Sequence, residues 1–157
     1  DFNGNLAKKG KIKFELIDLW LKNKIFFRKF PTSFDIEDFN FINSRHYKTY
    51  STYDILRTLT FFSAKLISMI KMSINFKIDS WVFSGGGVNN SLLMSDIKKL
   101  LINEKISISN SLGYDSSFVE SAAFAYISIR TLKKLPSAFP KTTGCIKENI
   151  CGNIYIP

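Results

Sequence analysis

Three consecutive glycines, Gly85, Gly86 and Gly87, followed by Asn90, stand between the apolar run Ser80-Trp81-Val82-Phe83 and a stretch with helical spacing. A strand that ends in glycines and leads into a helix offers unpaired backbone N–H groups and the positive end of a helix dipole. That is the usual anion site of α/β proteins. Glycine also lets a flat base or ribose lie against the main chain. The run is neither of the two common phosphate signatures. No Gly-Lys-Ser/Thr ending follows it, and the third spaced glycine of a dinucleotide fingerprint would fall at Asn90. A tight turn without a ligand explains the glycines as well, and Asn90 suits a nucleotide hydrogen bond or a helix cap equally.

Glu120 is the second residue that could do chemistry. Its spacing from Ser117, Ser-x-x-Glu, is that of a capping box, in which the glutamate reaches back to the start of its helix. Asp54 and Thr58 lie four apart on one helix face, where an ordinary exposed face accounts for them. His46, the only histidine, stands isolated in an irregular segment, as a surface residue would. Cys145 and Cys151 match no zinc or redox spacing, and four soft ligands cannot be assembled around one histidine, so no metal site is expected. Reduced thiols in a cytoplasmic setting fit the pair better than a local disulfide.

The elements that must position these residues follow from periodicity. Ile12, Leu16, Leu19 and Trp20 predict an amphipathic helix of about three turns. Phe26 to Tyr50 has no sustained period and should run irregularly over a surface. Ile55, Leu59, Phe62, Leu66, Met69 and Ile70 predict a long central helix capped by Ser51 or Thr52. Residues 80–84 read as a short buried strand. Asn90 or Ser91 then caps a helix with Leu92, Leu93, Ile97, Leu100 and Leu101 inward, and Ile106 and Ile108 mark a second strand. Strand, helix, strand at this length is a parallel crossover. A last helix, about Ser116 to Leu135, carries small residues suited to close helix contact and ends before Pro136 and Pro140. The tail Gly152 to Pro157 adds a strand or lies along the surface. The class is helix-rich α/β with a short parallel sheet, and two strands are too few to complete one.

Length and composition set the outer limits. The 157 residues, 45% apolar and 22% charged, suit a single domain or a large part of one. The net charge of +9 would favour nucleic acid, yet the lysines are scattered and no nucleic-acid module is visible, so no such partner is expected. The longest apolar stretch, Ile55 to Ile70, is interrupted by Arg57 and Lys65, and no membrane partner is expected either. The chain opens on Asp1 at a turn, which reads as the start of a fragment or of a trimmed product.

Three stretches carry a resemblance. VFSGGGVNNSLLMSDIKKLL, LGYDSSFVESAAFAYISIRTLKKLPSAFPKTTGC and the opening DFNGNLAKKGKI resemble the C-terminal half of the anhydro-N-acetylmuramic acid kinases, and the likeness runs from the first residue to the last. Its most specific parts are the triple glycine with Asn90, Leu93-Met94, Val119-Glu120, Ala123-Phe124-Ala125 and Thr143-Gly144. The resemblance implies one C-terminal lobe, residues 1–157, of the ribonuclease H-like fold shared by sugar kinases and actin-like ATPases. It implies ATP with Mg²⁺, and a 1,6-anhydro muramyl sugar phosphorylated at its 6-position with ring opening by water, in the recycling of cell-wall fragments. By the same resemblance Gly85, Gly86, Gly87 and Asn90 belong to the adenosine side, Glu120 faces the sugar, and Asp54 and Thr58 lie near a hinge.

The family's phosphate loop and its catalytic acid match no residue here, so no catalytic residue is expected in this chain. An N-terminal lobe of the same or a separate polypeptide becomes the expected partner, with a homodimer as a further option. Phosphoryl transfer rests on positioning and charge stabilisation by those absent groups, and the isolated chain is expected to be inactive. A non-catalytic, nucleotide-binding remnant of a split or decaying gene is the alternative. One departure bears on affinity. Where the family has Pro-Pro-Lys-Ser-Thr-Gly-Arg-Glu, this chain reads Phe30-Pro31-Thr32-Ser33-Phe34-Asp35-Ile36-Glu37, without the two cations and the glycine.

Overall fold

The computed structural model describes residues 1–29, 31–43 and 48–155. The reading of His46, and Phe30 of the altered loop, lie outside them. Five helices are described: α1 (Phe14–Leu21), α2 (Thr52–Ser73), α3 (Ser91–Leu100), α4 (Val119–Leu132) and the single turn α5 (Pro140–Thr143). Two strands, β1 (Trp81–Phe83) and β2 (Ile106–Ile108), pair in parallel with Trp81 opposite Ile106 and Phe83 opposite Ile108. The crossover between them is α3, as the spacing predicts.

Two apolar clusters share α2. On one side Leu16, Ile17 and Trp20 of α1 close over Phe62, with the Trp20 and Phe62 rings edge to face at 5.1 Å. On the other, Ala64 of α2 meets Met94, Ile97 and Leu101, and Trp81, Phe83 and Ile106 cover them from the sheet. An ion pair links the same two helices. Arg57 donates to both oxygens of Asp96 at 2.6 and 3.0 Å, and the carboxylate is only 3% exposed. The two hydrogen bonds engage both carboxylate oxygens, the bidentate geometry that favours a buried pair.

Several expectations are corrected. Helix α1 has two turns rather than three, and Leu19 faces solvent while Ile17 takes the buried place. The segment after it is built of 3₁₀ turns around Phe26, whose ring meets Phe34, Phe39, Phe41 and Phe62 at 5.8 to 6.3 Å. Aromatic packing replaces periodicity there. Thr58 is fully buried rather than on an exposed face, and Asp54 is half-buried. The Thr58 hydroxyl accepts from the Lys13 amide at 3.0 Å, and the Asp54 carboxylate accepts from the Lys11 amide at 2.7 Å and pairs with the Lys13 ammonium at 3.1 Å. Together they strap the opening segment to α2. Ser51, not Thr52, caps that helix, accepting from the Asp54 amide.

Helix α4 is shorter than its pattern, and none of its residues is buried. Phe124, Tyr126, Ile129 and Leu132 are all more than half exposed, so the expected close helix contact is not made among the described residues. The tail forms no strand from Cys151 to Tyr155 and lies along α4, with Thr131 hydrogen-bonded to the Cys151 carbonyl. Cys145 and Cys151 are free thiols.

Candidate functional site

Strand β1 delivers the glycines to the C-terminal edge of the sheet, where α/β proteins place their ligands. Gly85 has φ +81° and ψ 178°, a backbone region essentially confined to glycine. Its amide donates to the Ser116 carbonyl at 2.9 Å, which holds the loop against the start of the α4 segment. A single 3₁₀ turn, Gly86–Asn89, follows. The first amides of such a turn have no partner within it. A Cβ at Gly86 would meet nothing within 4 Å, so open space lies on that side of the main chain. Asn90 ends the loop. Its amide donates to the Gly87 carbonyl at 3.1 Å, and its side-chain oxygen caps α3 by accepting from Leu93 at 3.1 Å.

Glu120 is brought to this loop. Its Oε1 lies 3.7 Å from where a Cβ on Gly85 would stand. The capping box with Ser117 does not form, because Asp115 has already closed that turn. Its carboxylate accepts from the Ser117 amide at 2.9 Å and its carbonyl from Phe118 at 3.0 Å, so α4 starts one residue too late for the box. The Glu120 carboxylate is left exposed beside the glycines. A carboxylate repels phosphate and accepts from hydroxyls. The wall under Glu120 therefore suits a hydroxyl-bearing ligand rather than an anion.

The structure thus joins Gly85, Gly86, Gly87, Asn90 and Glu120 and leaves Asp54 and Thr58 on the strap. It also joins two stretches far apart in sequence. A Cβ at Gly144 would stand 3.2 Å from the Pro31 carbonyl, so the Thr143-Gly144 turn meets the altered loop. On either side of that loop Arg28 clamps Asp38 with two bonds of 3.0 and 2.7 Å, and the bonded guanidinium holds the Asp38 carboxyl below the usual carboxylate range. Asp35 donates its amide to Asp38 at 2.9 Å, while Ile36 is 85% exposed. Among the described residues no group of three or more His, Cys, Asp or Glu could hold a metal ion, and no helix is long and apolar enough to cross a membrane.

A glycine loop at the end of a parallel strand, closed by a capped crossover helix and faced by one carboxylate, defines an α/β protein of the crossover class. The model of the family "Anhydro-N-acetylmuramic acid kinase" matches residues 1–157. The chain belongs to the anhydro-N-acetylmuramic acid kinase family. It is similar to proteins of that name from Rhodopseudomonas palustris (31% identical, covering 92% of this chain and 38% of the relative) and from Clostridioides difficile (32%, covering 98% and 42%). A third, from Bacillus cereus, is 31% identical and covers the whole of this chain and 44% of the relative. The chain therefore spans about two fifths of the length of the curated relatives it matches.

Proposed function

We propose that these 157 residues form one lobe of a two-lobe, ATP-dependent kinase that phosphorylates 1,6-anhydro-N-acetylmuramic acid in cell-wall recycling. The lobe is the C-terminal one of a ribonuclease H-like fold. The observation that carries this reading is the approach of Glu120 to Gly85 within a chain matched throughout by the kinase family. Gly85 to Gly87 and Asn90 form the adenosine wall, where open space beside Gly86 admits a flat ligand against the main chain. Glu120 accepts a hydrogen bond from a sugar hydroxyl and fixes the acceptor relative to the nucleotide. Positioning of this kind is a large part of what a phosphoryl-transfer enzyme supplies.

Mg²⁺ enters with the phosphates and would neutralise the charge that develops on them. The phosphate-binding loop and the group that activates water come from the other lobe, on the same or a separate polypeptide. This lobe alone is catalytically silent. Two free thiols agree with a cytoplasmic setting. Calorimetric titration of the folded chain with MgATP tests the nucleotide wall. Saturable heat is expected, and a flat titration on folded protein removes the assignment.

A further inference from the structure

The opening turn reaches the nucleotide loop from an unexpected side. Asp1 closes that turn, its two carboxylate oxygens accepting from the Leu6 and Ala7 amides at 2.9 and 2.8 Å. Within it Gly4 is buried, with φ +73°. A Cβ there would stand 2.4 Å from Oδ1 of Asn90, 3.1 Å from its Cγ and 3.2 Å from Cβ of Leu92. The end of a flexible side chain would normally swing aside from such a contact. Here Oδ1 is the cap of α3, bonded to the Leu93 amide, and the same residue's amide ends the glycine loop on Gly87. A shift of the Asn90 side chain that clears a Cβ at Gly4 breaks the cap, at the residue whose amide also ends the loop.

We propose that Gly4 is a positioning residue for the nucleotide loop: its bare Cα lets the opening turn press Asn90 into place as the common anchor of α3 and of Gly85 to Gly87. The effect on nucleotide rests on the function proposed above, whereas the effect on Asn90 does not. The strap extends the device. Lys11 and Lys13 tie the same opening segment to Asp54 and Thr58, so the segment that carries the turn is also fastened to α2.

Three variants of the full 157-residue chain separate clash from backbone strain. Gly113 also has positive φ, +83°, but has nothing within 4 Å of a Cβ, so Gly113→Ala carries strain alone. Gly4→Ala carries strain and clash. Adding Asn90→Ser removes Oδ1 from the contact and keeps a residue that caps as well as asparagine. Amide hydrogen exchange is read at Leu93. Gly4→Ala should speed that exchange about tenfold while α1 amides keep their rates, Gly113→Ala should leave it unchanged, and the double variant should restore protection to within about threefold. Unchanged exchange at Leu93, an equal loss across α1 and α3, or no rescue by Asn90→Ser would each overturn the proposal. If Gly4→Ala does not fold, Asn90→Ser alone reads the contact from the other side. Loss of Oδ1 should speed exchange of the Asn5 amide, which closes the turn on Phe2, and no change there counts against the contact. MgATP titration is the second arm, with affinity about tenfold weaker in Gly4→Ala and unchanged in Gly113→Ala. If the unaltered chain binds no nucleotide, the functional reading fails while the exchange arm still decides the role of Gly4.

Discussion

Gly85 and Gly86 do different work within one loop, and substitution should separate them. Gly85→Ala forces a side chain into φ +81°, ψ 178° and should destabilise by about 1–3 kcal/mol through backbone strain, read by urea unfolding. Gly86→Ala meets no protein atom within 4 Å and should change stability by less than about 0.5 kcal/mol. Its methyl fills the open space where the proposed nucleotide would lie, so MgATP affinity should fall about tenfold; equal affinity would put the nucleotide elsewhere. The triple glycine was legible in the sequence because glycine is the signal itself. Glu120 was legible only as a choice between cap and ligand, and the turn made by Asp115 removes the cap. Gly4 lies in the turn on which the chain opens, yet its partner Asn90, 86 positions away, leaves no local trace.

The strap and the paired helices set stability at the next scale. Thr58→Val keeps the buried volume but leaves the Lys13 amide without its acceptor, and should destabilise by about 1–3 kcal/mol in urea unfolding. Asp96→Ala strands the Arg57 guanidinium in a site where the pair is 13% and 3% exposed, and should destabilise by about 3–5 kcal/mol. The strap is also acid-sensitive. The Lys11 amide and the Lys13 ammonium hold the Asp54 carboxyl below its ordinary range, so its contribution is present above the usual carboxylate pKa of about 4 and is lost as pH falls through the lower folded value. Between about pH 5 and pH 2 the unfolding midpoint of the unaltered chain should fall more steeply than that of Asp54→Asn; parallel curves would remove Asp54 from the account. Periodicity marked α2 and α3, because a buried stripe repeats along its own sequence. It could not mark Thr58 or Asp96, whose burial depends on partners from other elements.

At the scale of the whole molecule, exposed surface carries the argument. The chain exposes 11596 Å², against about 8,000 Å² for a compact monomer of this mass. Part of the excess is apolar, on α4 at Phe124, Tyr126, Ile129 and Leu132, and on the reverse of the sheet at Val82. Parallel sheets are ordinarily covered on both faces and wider than two strands. Both features fit a lobe whose neighbour is a further stretch of polypeptide, in keeping with relatives more than twice as long. The too-small sheet was already apparent from counting strands; the bare α4 was not, since small and apolar residues read as a packed face whether or not the partner is present. Reconstitution tests this most directly. A polypeptide carrying the remaining three fifths of a relative is mixed with this chain, and ADP release is followed with MgATP and 1,6-anhydro-N-acetylmuramic acid. The account predicts release from the mixture, none from either part alone, and a loss of at least tenfold with Glu120→Gln. Silence from the mixture under conditions where an intact relative is active, or release that ignores Glu120→Gln, would contradict it.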